Sequence, residues 1–218
     1  MKKQYAIIGL GRFGNSVALT LVNAGHEVLA IDADEDRVQR IADCVTHAVV
    51  ADSTEENTLK SLGIRNFDIV IVAIGQNVQA SVLTTLLLKE LGVNYVVAKA
   101  DNSLHGKMLE KVGADKVVFP ERDMGQRIAH NLMSTNVIDY LEVAPDLGII
   151  EVDVPQELLN VRLLDTNLRA DYGITVLAIR RNGKMTLSPN PGERFLPDDK
   201  LILVGEGSGI QRFEEKYF

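Results

Sequence analysis

Short runs of unbroken apolar residues recur through the first part of the chain, at Tyr5 to Leu10, Val28 to Ile31, Ala48 to Ala51, Ile69 to Ile74, Tyr95 to Ala98 and Val117 to Phe119. Runs without polar alternation suit strands covered on both faces, and such strands belong to parallel sheets flanked by helices. Helical patterns separate the runs. Phe13, Val17 and Leu21 fall at helical spacing, and the turn Ala24-Gly25-His26 returns the chain to the sheet. This rhythm predicts a doubly wound, Rossmann-like α/β domain over residues 1–134.

Two helical segments break the half-polar pattern. Val78, Ala80, Val82, Leu83, Leu86, Leu87, Leu88 and Leu91 spread around most of one helix. A helix apolar on all sides must be buried on all sides, so its outer side is expected against another subunit, or else under a second domain of the same chain. A second segment, Met124 to Met133, carries Met124, Ile128 and Leu132 in one row and leads out of the domain.

Beyond residue 134 the period changes. Ile150, Val152 and Val154 alternate with Glu151 and Asp153, and Pro155 ends the run. Ile174 to Arg181 and Lys184 to Leu187 flank Asn182-Gly183, a pair suited to a two-residue hairpin turn. A strand at Leu201 to Val204 and a terminal helix from about Ser208 complete a small α+β domain over 135–218, joined through the 134–146 segment. Arg180 and Arg181, beside the hairpin turn, are read as solvated, with an anionic ligand as the alternative.

Composition narrows the class of function. An apolar fraction of 46% with 24% charged residues is ordinary for a globular chain. The net charge of -7 argues against nucleic acid or an anionic membrane as the main partner. No segment approaches the roughly 20 apolar residues of a membrane span, and the start runs into a strand without a signal-peptide pattern, which predicts a cytoplasmic protein. Cys44 stands alone and is read as a small buried hydrophobe; the four histidines sit at no spacing that pairs ligands or a base and nucleophile.

The chemistry lies in Gly9-Leu10-Gly11-Arg12-Phe13-Gly14. In this pattern the first glycine allows the tight turn, the second lets backbone approach a phosphate, and the third lets helix pack on sheet. The helix amides then face the anion. Asp32 ends the next strand 18 residues after Gly14, where a carboxylate accepts from ribose hydroxyls and repels a 2′-phosphate. The ligand is therefore expected to be NAD-like or a simple adenosine nucleotide. Arg12 adds a charge suited to a terminal phosphate and favours ATP or ADP. An NAD-dependent oxidoreductase would need a proton donor or acceptor, and residues 135–218 contain no His and no Cys; a Lys, Tyr or Asp in that role stays open. An NAD(H)-sensing regulator of transcription would need a basic recognition helix, and none is evident before Tyr5 or after Val204.

Taken in order, Gly9 to Gly14, Ile31-Asp32, Ala51-Asp52-Ser53-Thr54, Ala73-Ile74-Gly75, Phe119-Pro120-Glu121 and Leu196 to Gly205 make the chain resemble the RCK (TrkA-N/TrkA-C) regulatory subunits of bacterial potassium uptake systems, of the Ktr type with one pair of domains. The resemblance implies a non-enzymatic gating ring, typically an octamer, on the cytoplasmic face of a membrane-embedded potassium transporter and switched by ATP against ADP. It implies phosphate binding at Gly9, Gly11, Arg12, Phe13 and Gly14, and ribose binding at Asp32. Asp52 and Ser53 would border adenine, Ala73, Ile74 and Gly75 would line the nucleotide, and Lys99 would lie near the phosphates. Glu121 facing a triphosphate suggests an intervening Mg²⁺ or Ca²⁺, the alternative being a carboxylate favoured in the first turn of a helix. NADH at the same site stays open. The family also suggests cyclic di-AMP in the C-terminal domain, at Ile174, Ile179, Arg180 and Pro189.

Overall fold

A computed structural model describes residues 2–133, 137–144 and 146–218. The six apolar runs form β1 (Gln4–Ile8), β2 (Glu27–Asp32), β3 (His47–Val50), β4 (Ile69–Val72), β5 (Val96–Lys99) and β6 (Lys116–Val118). They pair in parallel in the order β3-β2-β1-β4-β5-β6. The order reverses direction between β1 and β4, and open α/β sheets bind ligands at such a switch point, outside the carboxyl ends of the strands.

The unbroken apolar runs have their cause in two cores. Ile7, Val28, Ala30 and Ile71 face one side, with Ala18 of α1 (Arg12–Asn23) and Val38 and Ile41 of α2 (Glu35–Ile41). Ala6, Ile8, Leu29, Ile31, Val70, Val72 and Val96 face the other. There they meet Leu59 of α3 (Glu56–Ser61), Leu87 and Leu88 of α4 (Val78–Glu90) and Leu109 of α5 (Ser103–Lys111). Fully burying one such side chain contributes about 1.5–3 kcal/mol, so adjacent strand residues both have to be apolar.

α4 is apolar on its outer side as expected, and Leu87 and Leu88 share its inner side with polar residues. Its buried face carries hydroxyls, with Ser81, Thr84 and Thr85 all at 0% exposure, while Leu83 and Leu86 remain 37% and 36% exposed. Two of the three hydroxyls are hydrogen-bonded, and that of Ser81 has no partner among the described residues. Thr84 shares a hydrogen bond with Ser53 at 2.9 Å, and Thr85 donates to the Ser81 carbonyl at 2.8 Å. A buried polar group is tolerated when it is hydrogen-bonded, which lets Thr84 and Thr85 face inward beside Leu87 and Leu88.

The first compact unit is Met1–Arg122 and the second Asp123–Phe218. The helix that contains Met124 is α6 (Pro120–Met133), with Met124, Ile128 and Leu132 exposed. In the second unit, β7 (Val137–Ala144), β8 (Leu147–Asp153), β9 (Thr175–Arg181), β10 (Lys184–Leu187) and β11 (Lys200–Glu206) form an antiparallel sheet ordered β10-β9-β11-β8-β7. Asn182 and Gly183 both have positive φ, 50° and 76°, as the two-residue turn between β9 and β10 requires. Residues 134–146, expected as a plain connection, carry β7, which pairs with β8. The core gathers Ile150, Val152, Val176, Ile179, Leu201 and Leu203 under Phe213 of α8 (Gly207–Tyr217), near α7 (Leu168–Tyr172).

Both arginines beside the hairpin depart from the solvated reading. Arg180 pairs with Glu151 on β8. Arg181 forks onto Asp199, with Nε to Oδ1 at 2.7 Å and Nη2 to Oδ2 at 2.8 Å, and reaches Glu193 at 2.9 Å. Asp199 is fully buried. Burial alone would raise its carboxyl, but Arg181 and the Leu196 N–H reverse this and hold it below the usual range. Cys44 also departs from expectation: it is exposed, at the end of a single 3-10 turn.

Candidate functional site

The carboxyl ends of β1 to β6 carry the candidate residues. Gly9 follows β1 with φ 97°, a left-handed conformation that favours glycine, and a Cβ there would lie 3.0 Å from the Ala73 carbonyl carbon beyond β4. Gly14, in the first turn of α1, approaches so closely that a Cβ would stand 1.9 Å from the Gly9 carbonyl oxygen. A Cβ at Gly11 would meet nothing within 4 Å. Gly11 is the N-cap of α1, without a side-chain cap, and no acidic residue stands in the first turn. Open space above uncapped amides at a positive helix end suits a phosphate.

Arg12 is exposed and makes no ion pair among the described residues. Phe13 is half-buried against the α1 side of the sheet. Asp32, 9% exposed, accepts the Leu10 N–H at 2.6 Å on Oδ2 and the Asp34 N–H at 2.9 Å on Oδ1. Its first task is thus to tie the glycine turn to the end of β2. Oδ1, with one donor, keeps a second lone pair for a ribose hydroxyl. Arg37 lies 3.5 Å from Asp32 and 3.3 Å from Asp34, a cation at the ribose side that spacing alone did not single out.

Asp52 and Ser53 lie on the loop after β3 and turn to different partners. Asp52 accepts from the Thr54 hydroxyl at 2.7 Å and the Thr54 N–H at 2.8 Å, which hold its carboxyl below the usual range. Ser53 points into the interior, to Thr84. Ala73, Ile74 and Gly75 leave β4 beside β1, with the Ala73 N–H on the Ile8 carbonyl at 2.7 Å.

Lys99 ends β5, and its side chain is only 11% exposed. Its Nζ lies 2.6 Å from Oε1 of Glu121, in the first turn of α6, whose own side chain is 64% exposed. That bond, with a weaker contribution from Arg12, holds the Glu121 carboxyl below the usual range. The cation Glu121 faces is therefore the Lys99 ammonium. Among the described residues no three His, Cys, Asp or Glu side chains gather as metal ligands.

The residues considered for cyclic di-AMP do not share a face. Ile174 and Ile179 are 0% and 2% exposed in the second core, Pro189 is buried, and Arg180 follows Ile179 onto the opposite face of β9. Stacking on a base by these two isoleucines is not available within one chain.

Residues 5–120 match the TrkA-N domain and residues 147–217 the TrkA-C domain. The chain is 51% identical over 216 residues to the Ktr system potassium uptake protein C of Bacillus subtilis (strain 168), covering 99% of this chain and 98% of that protein. It is 49% identical over 214 residues to the Ktr system potassium uptake protein A of the same strain, covering 98% and 96%. Among solved structures, the GsuK RCK domain superposes on 100% of this chain and 48% of its own, with a TM-score of 0.69 at 17% identity, which is a likeness of fold.

Proposed function

The chain belongs to the TrkA-N/TrkA-C family that includes the Ktr system potassium uptake proteins, and on that footing we propose that it is the regulatory subunit of a Ktr-type potassium uptake system whose first unit reads the phosphate end of an adenine nucleotide. It performs no catalysis of its own. Its role is to favour one state of a membrane-embedded transporter, on whose cytoplasmic side it docks; no helix among the described residues is long and apolar enough to cross a membrane.

The observation that carries the reading is the seat at the switch point, where an uncapped α1, open space above Gly11 and an exposed, unpaired Arg12 meet. Adenosine binding would draw on Asp32 and the residues after β4, and the phosphates on the amides of α1. Arg12, the exposed cation at the start of α1, is assigned to the terminal phosphate. ATP would then drive gating by the difference in its interaction with two arrangements of the assembled subunits. Assembly of several copies into a ring, taken as an octamer, would use the exposed apolar residues Leu83 and Leu86 of α4 and Leu104 and Met108 of α5.

Calorimetry on the wild type and Arg12→Ala with ATP, ADP and NADH tests this. Loss of a charge-assisted phosphate contact should weaken ATP about 10- to 100-fold and ADP much less. An unchanged ATP to ADP affinity ratio would count against the assignment of Arg12. Tighter binding of NADH than of either nucleotide would replace ATP as the ligand of the site.

A further inference from the structure

We propose that Glu121 is an internal stand-in for a nucleotide phosphate, holding the Lys99 ammonium until a ligand takes it over. This rests on the nucleotide reading of the site and adds to it a competitor built into the chain.

Two cations act on the position Glu121 occupies. Lys99 binds its carboxylate at 2.6 Å, and the charge of Arg12, at the start of α1, acts on the same group. The first turn of α6 favours an anion there as well. A phosphate delivered to the glycine turn therefore enters a field that Glu121 already partly satisfies.

The two partners differ in freedom. The Lys99 side chain is 11% exposed and the Glu121 side chain 64%. Glu121 can turn out into water at little cost, whereas Lys99 is held on the end of β5 and would be left as a poorly solvated cation. Gly75 fixes the ammonium further. A Cβ at Gly75 would lie 3.0 Å from Lys99 Nζ, so the ammonium rests against the loop that leaves β4 at the switch point. A larger residue 75 would have to displace the ammonium by a few tenths of an ångström. Release of Glu121 thus frees a cation beside the loop that leaves β4, and a phosphate oxygen that replaces the carboxylate keeps the Lys99 ammonium compensated.

The test is calorimetric titration of the full chain in EDTA with ATP, ADP and adenosine. Glu121→Gln keeps the shape and removes the charge. It should tighten ATP and ADP about 3- to 20-fold, the range of one partly exposed charge-assisted bond, and leave adenosine unchanged. Glu121→Ala should give the same gain, which guards against an effect peculiar to the amide. In a Lys99→Met background the gain should vanish. No gain, a loss of affinity, or a gain that persists without Lys99 would overturn the proposal, the last because it would reflect long-range repulsion by Glu121 alone. A wild type that binds none of the three ligands would instead defeat the nucleotide reading itself.

Discussion

The side chains that decide most in this molecule are charged groups whose partners are distant in sequence. Asp199 and Arg181 are 18 residues apart, Lys99 and Glu121 22. Removing one member of a buried pair leaves the other uncompensated. Asp199→Ala should therefore cost about 2–4 kcal/mol in urea unfolding, below the usual maximum because Arg181 is about a third exposed. His105 offers a second test. It is 1% exposed, its Nδ1 accepts the Asp101 N–H at 3.2 Å, and its Nε2 has no partner. Burial lowers its pKa from 6.5, against the pull of Asp101. The unfolded chain then binds the proton more readily, so this contribution is full above 6.5 and is lost as pH falls from there toward the lower folded value. Asp115, Glu121 and Asp199, held low by their partners, lose theirs only below their ordinary 3.8 to 4.5. Unfolding free energy should decline between pH 6.5 and 5 in the wild type and much less in His105→Asn. None of these pairings was legible in the sequence, since a lone Arg, Lys or His shows no partner until the fold supplies one.

At the scale of elements the reverse holds for the first unit. Its strands could be read directly because both faces of each are covered, which leaves an unbroken apolar run as the trace. The glycine turn was equally legible, since each glycine answers a steric demand. Gly14→Ala should destabilise the chain by about 2 kcal/mol or more, because a Cβ 1.9 Å from the Gly9 oxygen must push α1 off the sheet; a shift of the denaturation midpoint at constant m-value would measure it. Periodicity left two things unsaid. α4 shows Leu83 and Leu86 on its outer side as expected, but the burial of Ser81, Thr84 and Thr85 beside Leu87 and Leu88 was not readable from its apolar residues. β7 lies in a stretch read as connection, and its pairing with β8 became evident only in the sheet. If the outer face of α4 joins copies, Leu83→Glu with Leu86→Lys should lower the mass in light scattering without lowering the melting temperature of the monomer. An unchanged mass would remove α4 from the assembly.

The whole molecule joins two kinds of sheet with different histories of formation. In the second unit, β9 and β10 meet across two residues, and β7 and β8 are also neighbours along the chain. In the first unit, β1 is completed only when β4, which begins at Ile69, arrives beside it. Pairings between distant segments form slowly because the loop must close before the contact is made. Pulse-labelled hydrogen exchange during refolding should accordingly protect amides of 175–187 before those of β1. The candidate site runs from Gly9 to Glu121 and draws on strand ends from β1 to β6, so on the ribosome it is finished only after nearly the whole first unit has emerged. A nascent chain that has exposed only the residues before β5 would carry the glycine turn without Lys99, and nucleotide should protect it from proteolysis less than it protects the released chain.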